Sequence, residues 1–251
     1  MASAITVQHV YKSFGNLKAL HDVSLTVDER TITILMGPNG AGKTTLINVI
    51  SGFYEPDSGT VIYKGKAITG LQPYKVYDEG LVRTFQIPAL FPKLTVLENI
   101  MVARREKGEG FVRSLFKNLW IDDERKTAEE AFKILEIVGL TQMWDQPASV
   151  LSGGQMKLLE IGRALMSGAQ TILLDEPISG VNPKLAHDIF AKLVKLRDNY
   201  GITFFIIEHR LDIALGYVDK VVVMAYGKFL TSGSPQEVTS DKRVIDAYLG
   251  G

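Results

Sequence analysis

The sequence predicts an α/β fold, with a mostly parallel sheet covered by helices, a strand-rich N-terminal subdomain and an inserted helical subdomain. Three observations predict it. Beyond residue 170, apolar strand-like runs alternate with helical ones, the signature of a parallel sheet built from crossover units. The stretch Gly37–Thr45, reading GPNGAGKTT, sits between an apolar run and a helix-like run. Between about Val96 and Val150 the pattern turns helical. We therefore expect one domain over 1–251, with a core of 1–95 and 151–251 around helical residues 96–150.

The first third reads as strands at Ile5–Phe14, Ala19–Val27, Thr31–Met36 and Gly59–Lys64, separated by turn signals such as Phe-Gly-Asn and Asp-Glu-Arg. A helix follows the glycine loop and stops at Gly52. In the middle, Thr127-Ala-Glu-Glu130 has the form of a capping box, which predicts a helix start there, with Ala131, Ile134, Leu135 and Val138 as its apolar face and Gly139 closing it. The last third alternates: strand Thr171–Leu174, helix Pro183–Asn199, strand Ile202–Ile207, helix Leu211–Val218, strand Val221–Ala225. Asn182 is the expected cap before Pro183, and Leu185, Ile189, Leu193 and Leu196 form one core-facing stripe. Ser232-Gly-Ser-Pro235 reads as a turn leading to a short helix, Val244–Leu249.

Composition narrows the chemistry. The 251 residues carry 28 basic and 28 acidic side chains, so no global field points to nucleic acid. There is no cysteine, which removes disulfides and thiolate metal ligands. No basic segment followed by a long apolar run marks the N-terminus as a secretory signal. No apolar run approaches the roughly 20 residues needed to span a bilayer.

The glycine loop carries the strongest signal. Gly37, Gly42, Lys43 and Thr44 satisfy G-x-x-x-x-G-K-[ST] after a strand and before a helix, the context of a phosphate-binding loop. Its glycines turn successive N–H groups inward, Lys43 supplies a charge for the β- and γ-phosphates, and the Thr44 hydroxyl suits Mg²⁺. The loop residues Gly37, Pro38, Asn39, Gly40, Ala41, Gly42, Lys43, Thr44 and Thr45 are thus the expected cradle for a nucleoside triphosphate. Asp175 and Glu176 end an apolar strand, a placement that suits holding Mg²⁺, directly or from behind its ligands, and polarising an attacking water, respectively.

Further motifs follow in a fixed order: Arg83-Thr-Phe-Gln86, Leu151-Ser-Gly-Gly-Gln155, Thr171-Ile-Leu-Leu-Asp-Glu-Pro177 and Ile206-Ile-Glu-His209. With the phosphate loop ahead of them, they resemble the ATP-binding subunits of ABC transporters over essentially the whole chain. That resemblance implies a RecA-like P-loop NTPase core with an N-terminal antiparallel β subdomain. Catalysis falls to Glu176, His209 and Gln86, and Mg²⁺ to Thr44, Gln86 and Asp175. Gln86 is the family's glutamine-loop amide and His209 its switch histidine; a core histidine satisfied by backbone is the competing account of His209. Phe14 is the adenine-stacking aromatic, with Tyr11 able to substitute and a plain core role open to either.

Ser152, Gly153, Gly154 and Gln155 open a helix whose N-terminus suits an anion, and Ser152 and Gln155 match a capping box. Since the chain already owns a phosphate loop, this second site makes sense as completing the loop of another copy. The resemblance implies an ATP sandwich, as homodimer or heterodimer with a second ATPase subunit. It also implies membrane permease subunits, an indirect link to a substrate-binding protein, and a peripheral place on the cytoplasmic face of the membrane. Asn182 stands where the family's commoner residue is an acid, and Met156-Lys157 replaces the usual Gln-Arg. Within the family, Gly80–Phe91, Leu94–Asn99, the aromatic stretch Phe111–Trp120 and the ending Val244–Gly250 resemble ATPases of branched-chain amino acid importers. A soluble ABC-type ATPase, for example in metal-cluster assembly, is the alternative.

Overall fold

The computed structural model describes residues 2–84, 89–104 and 117–249. Two long strands come first, β1 (Ser3–Phe14) and β2 (Leu17–Asp28), folded back on each other about Gly15 and Asn16. β3 (Ile32–Met36) runs into the glycine loop and α1 (Lys43–Ile50). β4 (Ser58–Tyr63) and β5 (Lys66–Ala67) follow, then α2 (Pro73–Asp78) and β6 (Leu81–Arg83). The helical stretch holds α3 (Val96–Met101), α4 (Lys117–Val138) and α5 (Gly153–Met166). The chain then alternates through β7 (Thr171–Asp175), α6 (Pro183–Tyr200), β8 (Thr203–Ile207), α7 (Leu211–Ala214), β9 (Lys220–Ala225) and β10 (Lys228–Gly233). It finishes with α8 (Pro235–Ser240) and α9 (Lys242–Leu249).

Two sheets result. The larger has the order β10-β9-β3-β8-β7-β6 and is parallel except for β10. The smaller, β2-β1-β4-β5, is antiparallel throughout. The central strands are apolar on both faces because both are covered, as parallel strands require. Alternation divides them cleanly. Phe204 and Ile206 join a core with α5 and α6, whereas Phe205 and Ile207 join a second core with α1 and the antiparallel sheet. Both phenylalanines are fully buried, a contribution of roughly 1.5–3 kcal/mol each.

The parallel strands set the site. β3, β8 and β7 lie side by side and point the same way, so Gly37, Asp175-Glu176 and Glu208-His209 emerge together at the C-terminal ends of the strands. This is where open α/β sheets present ligand-binding groups.

Several boundaries differ from expectation. Thr127 does not start a helix: α4 begins at Lys117, and Thr127 lies inside it, donating its hydroxyl to the Asp123 carbonyl at 2.7 Å. That backward bond to the preceding turn gives a threonine inside a helix a local partner, so the Thr-x-x-Glu pattern marks no helix start here. The helix expected over Leu211–Val218 ends at Ala214, shortly before Gly216. Ser232 and Gly233 finish β10 rather than forming a free turn, and Ser234 caps α8, its hydroxyl accepting from the Glu237 amide. Asn182 does cap α6, its side chain accepting from the Leu185 amide at 3.0 Å.

Candidate active site

The glycine loop is shaped by close approach. A Cβ on Gly37 would lie 2.1 Å from the Met224 carbonyl oxygen, and one on Gly42 2.6 Å from that of Ala19. Both residues also take positive φ, 153° and 94°, so glycine is required on two counts. Gly42 is the N-cap of α1, and no side chain caps it. The first amides of α1 are thereby left for an outside anion, which is the fit a phosphate needs. Asn39, Gly40 and Thr44 are exposed, Pro38, Gly42 and Thr45 half-buried, and Gly37, Ala41 and Lys43 buried.

Lys43 folds its ammonium back on the loop, donating to the carbonyls of Gly37 (2.7 Å) and Pro38 (3.0 Å). Burial pushes its pKa below the usual lysine value, while the charges of Glu176 and Asp175 pull it back up. Asp175 accepts from the Arg83 guanidinium at 3.2 Å, and both side chains are largely buried. Arg83 also donates to Asn48 on α1, so one arginine ties the end of β6 to β7 and to the helix behind the loop.

Glu176 takes φ of 50°, an unusual setting for a residue with a side chain. Its amide donates to the Ile207 carbonyl at 2.9 Å, which fastens the start of this loop to β8. His209, exposed, places Nε2 3.3 Å from Glu176 Oε1. The structure therefore brings Lys43, Asp175, Glu176 and His209 to one place, and the reading of His209 as a buried histidine satisfied by backbone does not hold.

Phe14 is exposed near the tip of the β1–β2 hairpin, edge-on to Tyr54 at 5.2 Å and with the Lys12 ammonium 5.6 Å from its ring centre. Tyr11 is half-buried and engaged edge-on with His21 at 5.4 Å, which leaves Phe14 as the accessible ring. Gln86 lies outside the described residues.

Ser152 and Gln155 form the expected capping box: the Ser152 hydroxyl accepts from the Gln155 amide at 3.4 Å, and Gln155 Oε1 accepts from the Ser152 amide at 2.9 Å. Ser152 and Gly153 are exposed, whereas Gly154 is buried against Leu185 of α6. Between described residues, no hydrogen bond or ion pair joins Ser152–Gln155 to Gly37–Thr45. One turn further on, burial lowers the pKa of Lys157, opposed first by Glu160 and then by Asp175, Glu176 and Glu208.

Sequence reasoning assigned no role to Arg83, Glu208 or Asn99. Each had a signal: Arg83 and Glu208 are charges at the ends of apolar runs, and Asn99 is a polar residue on the inward side of a short helix. Asn99 is fully buried, accepting from the Phe91 amide at 2.9 Å and donating to the carbonyls of Phe91 (2.9 Å), Thr95 (3.0 Å) and Leu94 (3.3 Å). It pins a segment on which Phe91 is exposed, with the Arg163 guanidinium 5.2 Å from the Phe91 ring.

Residues 20–179 match the family profile described as ABC transporter. The chain belongs to that family. A "Probable branched-chain amino acid transport ATP-binding protein LivG" of Methanocaldococcus jannaschii is 47% identical to this ABC ATPase, covering 98% of this chain and 97% of its own length. The "High-affinity branched-chain amino acid transport ATP-binding protein BraF" of Pseudomonas aeruginosa is 39% identical, over 94% of both chains. Among solved structures, the ADP conformation of an ATP-binding cassette from an ABC transporter superposes with a TM-score of 0.87 at 46% identity, covering 100% of both chains. A nucleotide-free cassette gives 0.86 at 46% identity, covering 99% of this chain and 100% of its own. Residues 230–251 match a second profile, "Branched-chain amino acid ATP-binding cassette transporter". The chain is accordingly a nucleotide-binding ATPase of the transporter family. Among the described residues, no helix is long and apolar enough to cross a membrane.

Proposed function

We propose that this ABC ATPase powers the import of branched-chain or other amino acids, working as an ATP sandwich with a second ATPase subunit, identical or not. The match of the C-terminal residues 230–251 to the branched-chain profile, over and above the general family match, carries the substrate reading. With no membrane-crossing helix among the described residues, the membrane path belongs to permease subunits. The chain then sits peripherally on the cytoplasmic face and meets a substrate-binding protein only through those permeases.

The phosphate loop takes the triphosphate, and Lys43 exchanges the Gly37 and Pro38 carbonyls for phosphate oxygens. Phe14 offers a ring for the adenine, a contact worth roughly 1–3 kcal/mol with little base preference. Mg²⁺ fits here because an exposed hydroxyl (Thr44) and a carboxylate (Asp175) are hard oxygen donors; Gln86 completes the proposed set. Bound there, the ion would neutralise charge on the β- and γ-phosphates. Glu176 orients the attacking water and accepts its proton, and His209 donates to the γ-phosphate. Ser152–Gln155 of the second subunit meets the γ-phosphate from the other side. Residues 96–150 act as a helical subdomain, and the surface from Gln86 to Asn99 receives a cytoplasmic helix of the permease.

Two measurements test this. Proteoliposomes holding the ATPase with its genomically neighbouring permeases and binding protein should accumulate radiolabelled leucine only with ATP inside. Uptake of an unrelated solute class and not of amino acids would overturn the substrate reading. In the isolated chain, Glu176→Gln should retain ATP binding while hydrolysis falls on the order of 10²–10⁴-fold, the usual contribution of a positioned base. Undiminished hydrolysis would remove Glu176 from that role.

A further inference from the structure

We propose that Glu208 is the positioning residue that sets Glu176 and His209 against each other, an inference that rests on the catalytic reading of those two side chains. Glu208 directly follows β8 and is 2% exposed, so it meets neither solvent nor nucleotide. Its carboxylate spans two loops. One oxygen accepts from the Ile178 amide at 3.0 Å; the other accepts from the amides of His209 (2.9 Å) and Arg210 (3.1 Å). Ile178 lies two residues beyond Glu176 on the chain leaving β7, and His209 begins the chain leaving β8. A single buried side chain thereby fixes both loops at the points from which the catalytic pair projects.

The chemistry calls for a carboxylate. A buried charge is costly unless fully hydrogen-bonded, and three charge-assisted N–H donors meet that condition. Both oxygens are used, one for each loop. An amide has one acceptor oxygen and would turn an NH₂ toward one set of N–H donors. An aspartate keeps both acceptor oxygens but, one methylene shorter, spans the two loops less well. Two other bonds run the same way: the Glu176 amide donates to the Ile207 carbonyl at 2.9 Å, and the Arg210 guanidinium donates to the Val181 carbonyl at 3.0 Å. These hold the backbone near the junction, but neither reaches the Ile178 and His209 amides together. The 3.3 Å approach of His209 to Glu176 is thus the product of the Glu208 bridge.

The experiment uses the full chain carrying ring-labelled histidine. There are four histidines, and comparison with a His209→Ala variant assigns the signal of His209. In an otherwise native chain, Glu176→Gln should shift the His209 signals, because the carboxylate facing the ring is replaced. In a Glu208→Gln background the same substitution should move them far less. Steady-state hydrolysis should show Glu208→Gln lowering kcat about ten-fold or more, since misplacement by an ångström can cost on the order of 10²-fold. KM and the affinity for a fluorescent ATP analogue should stay within about two-fold, because the phosphate loop is untouched. Glu208→Asp should fall between the two. A merely structural role would lower the melting temperature yet leave the His209 response intact. Full kcat with a full His209 response in folded Glu208→Gln overturns the proposal; if that variant does not fold, the same two readings on Glu208→Asp decide. Native hydrolysis by Glu176→Gln would instead strike the catalytic reading, a result separate from the histidine signals.

Discussion

Replacing Asn99 by aspartate exchanges one group, keeps the shape of the side chain, and should destabilise the fold in a pH-dependent way. The retained oxygen still accepts from the Phe91 amide at 2.9 Å, but the former NH₂ becomes an oxygen facing the carbonyls of Phe91, Thr95 and Leu94 at 2.9, 3.0 and 3.3 Å. Asn99 is fully buried, so the new carboxylate is disfavoured by desolvation and by those carbonyls together. A rise of about 2–3 units above the unfolded value near 3.9 corresponds to roughly 3–4 kcal/mol at neutral pH. Linkage gives the sign. The folded-state pKa is raised, so the unfolded chain loses its proton first, and the penalty grows as pH rises from about 4 to the folded value and then levels off. Below that window the protonated acid can again donate one bond. For a chain of this length, about 2–4 °C per kcal/mol gives a deficit on the order of 6–16 °C at pH 8. Thermal melts of the wild type and Asn99→Asp from pH 4.5 to 8 provide the assay, with Asn99→Leu as the uncharged comparison. A deficit of the same size at pH 4.5 and pH 8 would show that lost packing, not charge, is responsible. No deficit at all would mean the segment carrying Phe91 does not depend on this clamp.

Three further outcomes are expected. Because burial holds the Lys43 ammonium below its usual pKa, a bound triphosphate should raise it again. ATP binding should then take up protons, and affinity should fall as pH climbs from the lowered value toward 10.5; calorimetry at alkaline pH in two buffers of different ionisation enthalpy detects this, and equal heats would contradict it. Gly154→Ala gains about 0.8–1 kcal/mol of helix propensity but sets a Cβ 2.2 Å from Leu185 Cδ2, an overpacking cost of about 1–3 kcal/mol. It should therefore melt at or below wild type, and adding Leu185→Ala should relieve the overpacking; a gain in stability from Gly154→Ala alone would refute the contact. Finally, Glu176→Gln should dimerise on adding ATP-Mg²⁺, and Ser152→Arg in that background should stop it; equal sedimentation of the two would sink the sandwich arrangement.

The fold was largely legible because its cues are local and mutually consistent. Alternating apolar strands and helices, an Asn-Pro cap at Asn182 and the glycine loop each have a physical meaning that survives folding. The failures are instructive. Thr127 carries a capping sequence, but a helix arriving from Lys117 makes its hydroxyl serve the preceding turn instead. At the candidate site, Lys43 was readable from the spacing of the glycine loop, and Asp175, Glu176 and His209 because each ends or follows an apolar run. Arg83 and Glu208 carry the same local cue, and Asn99 a polar place on a helix, but nothing local says what they bond. Arg83, Glu208 and Asn99 act through bonds to segments 92, 30 and 8 residues away, and only the sheet order and the α3 turn bring those partners within reach.

Glu176 stands at φ of 50°, in the region where an L-residue sits about 1–2 kcal/mol above its relaxed state. Glycine would relax there at once. A library of variants sorted only for heat resistance or expression should therefore enrich Glu176→Gly, rewarding loss of the side chain on which turnover is proposed to depend. Stabilising this protein by blind selection would tend to disarm it, and any such campaign needs ATP turnover as a parallel screen.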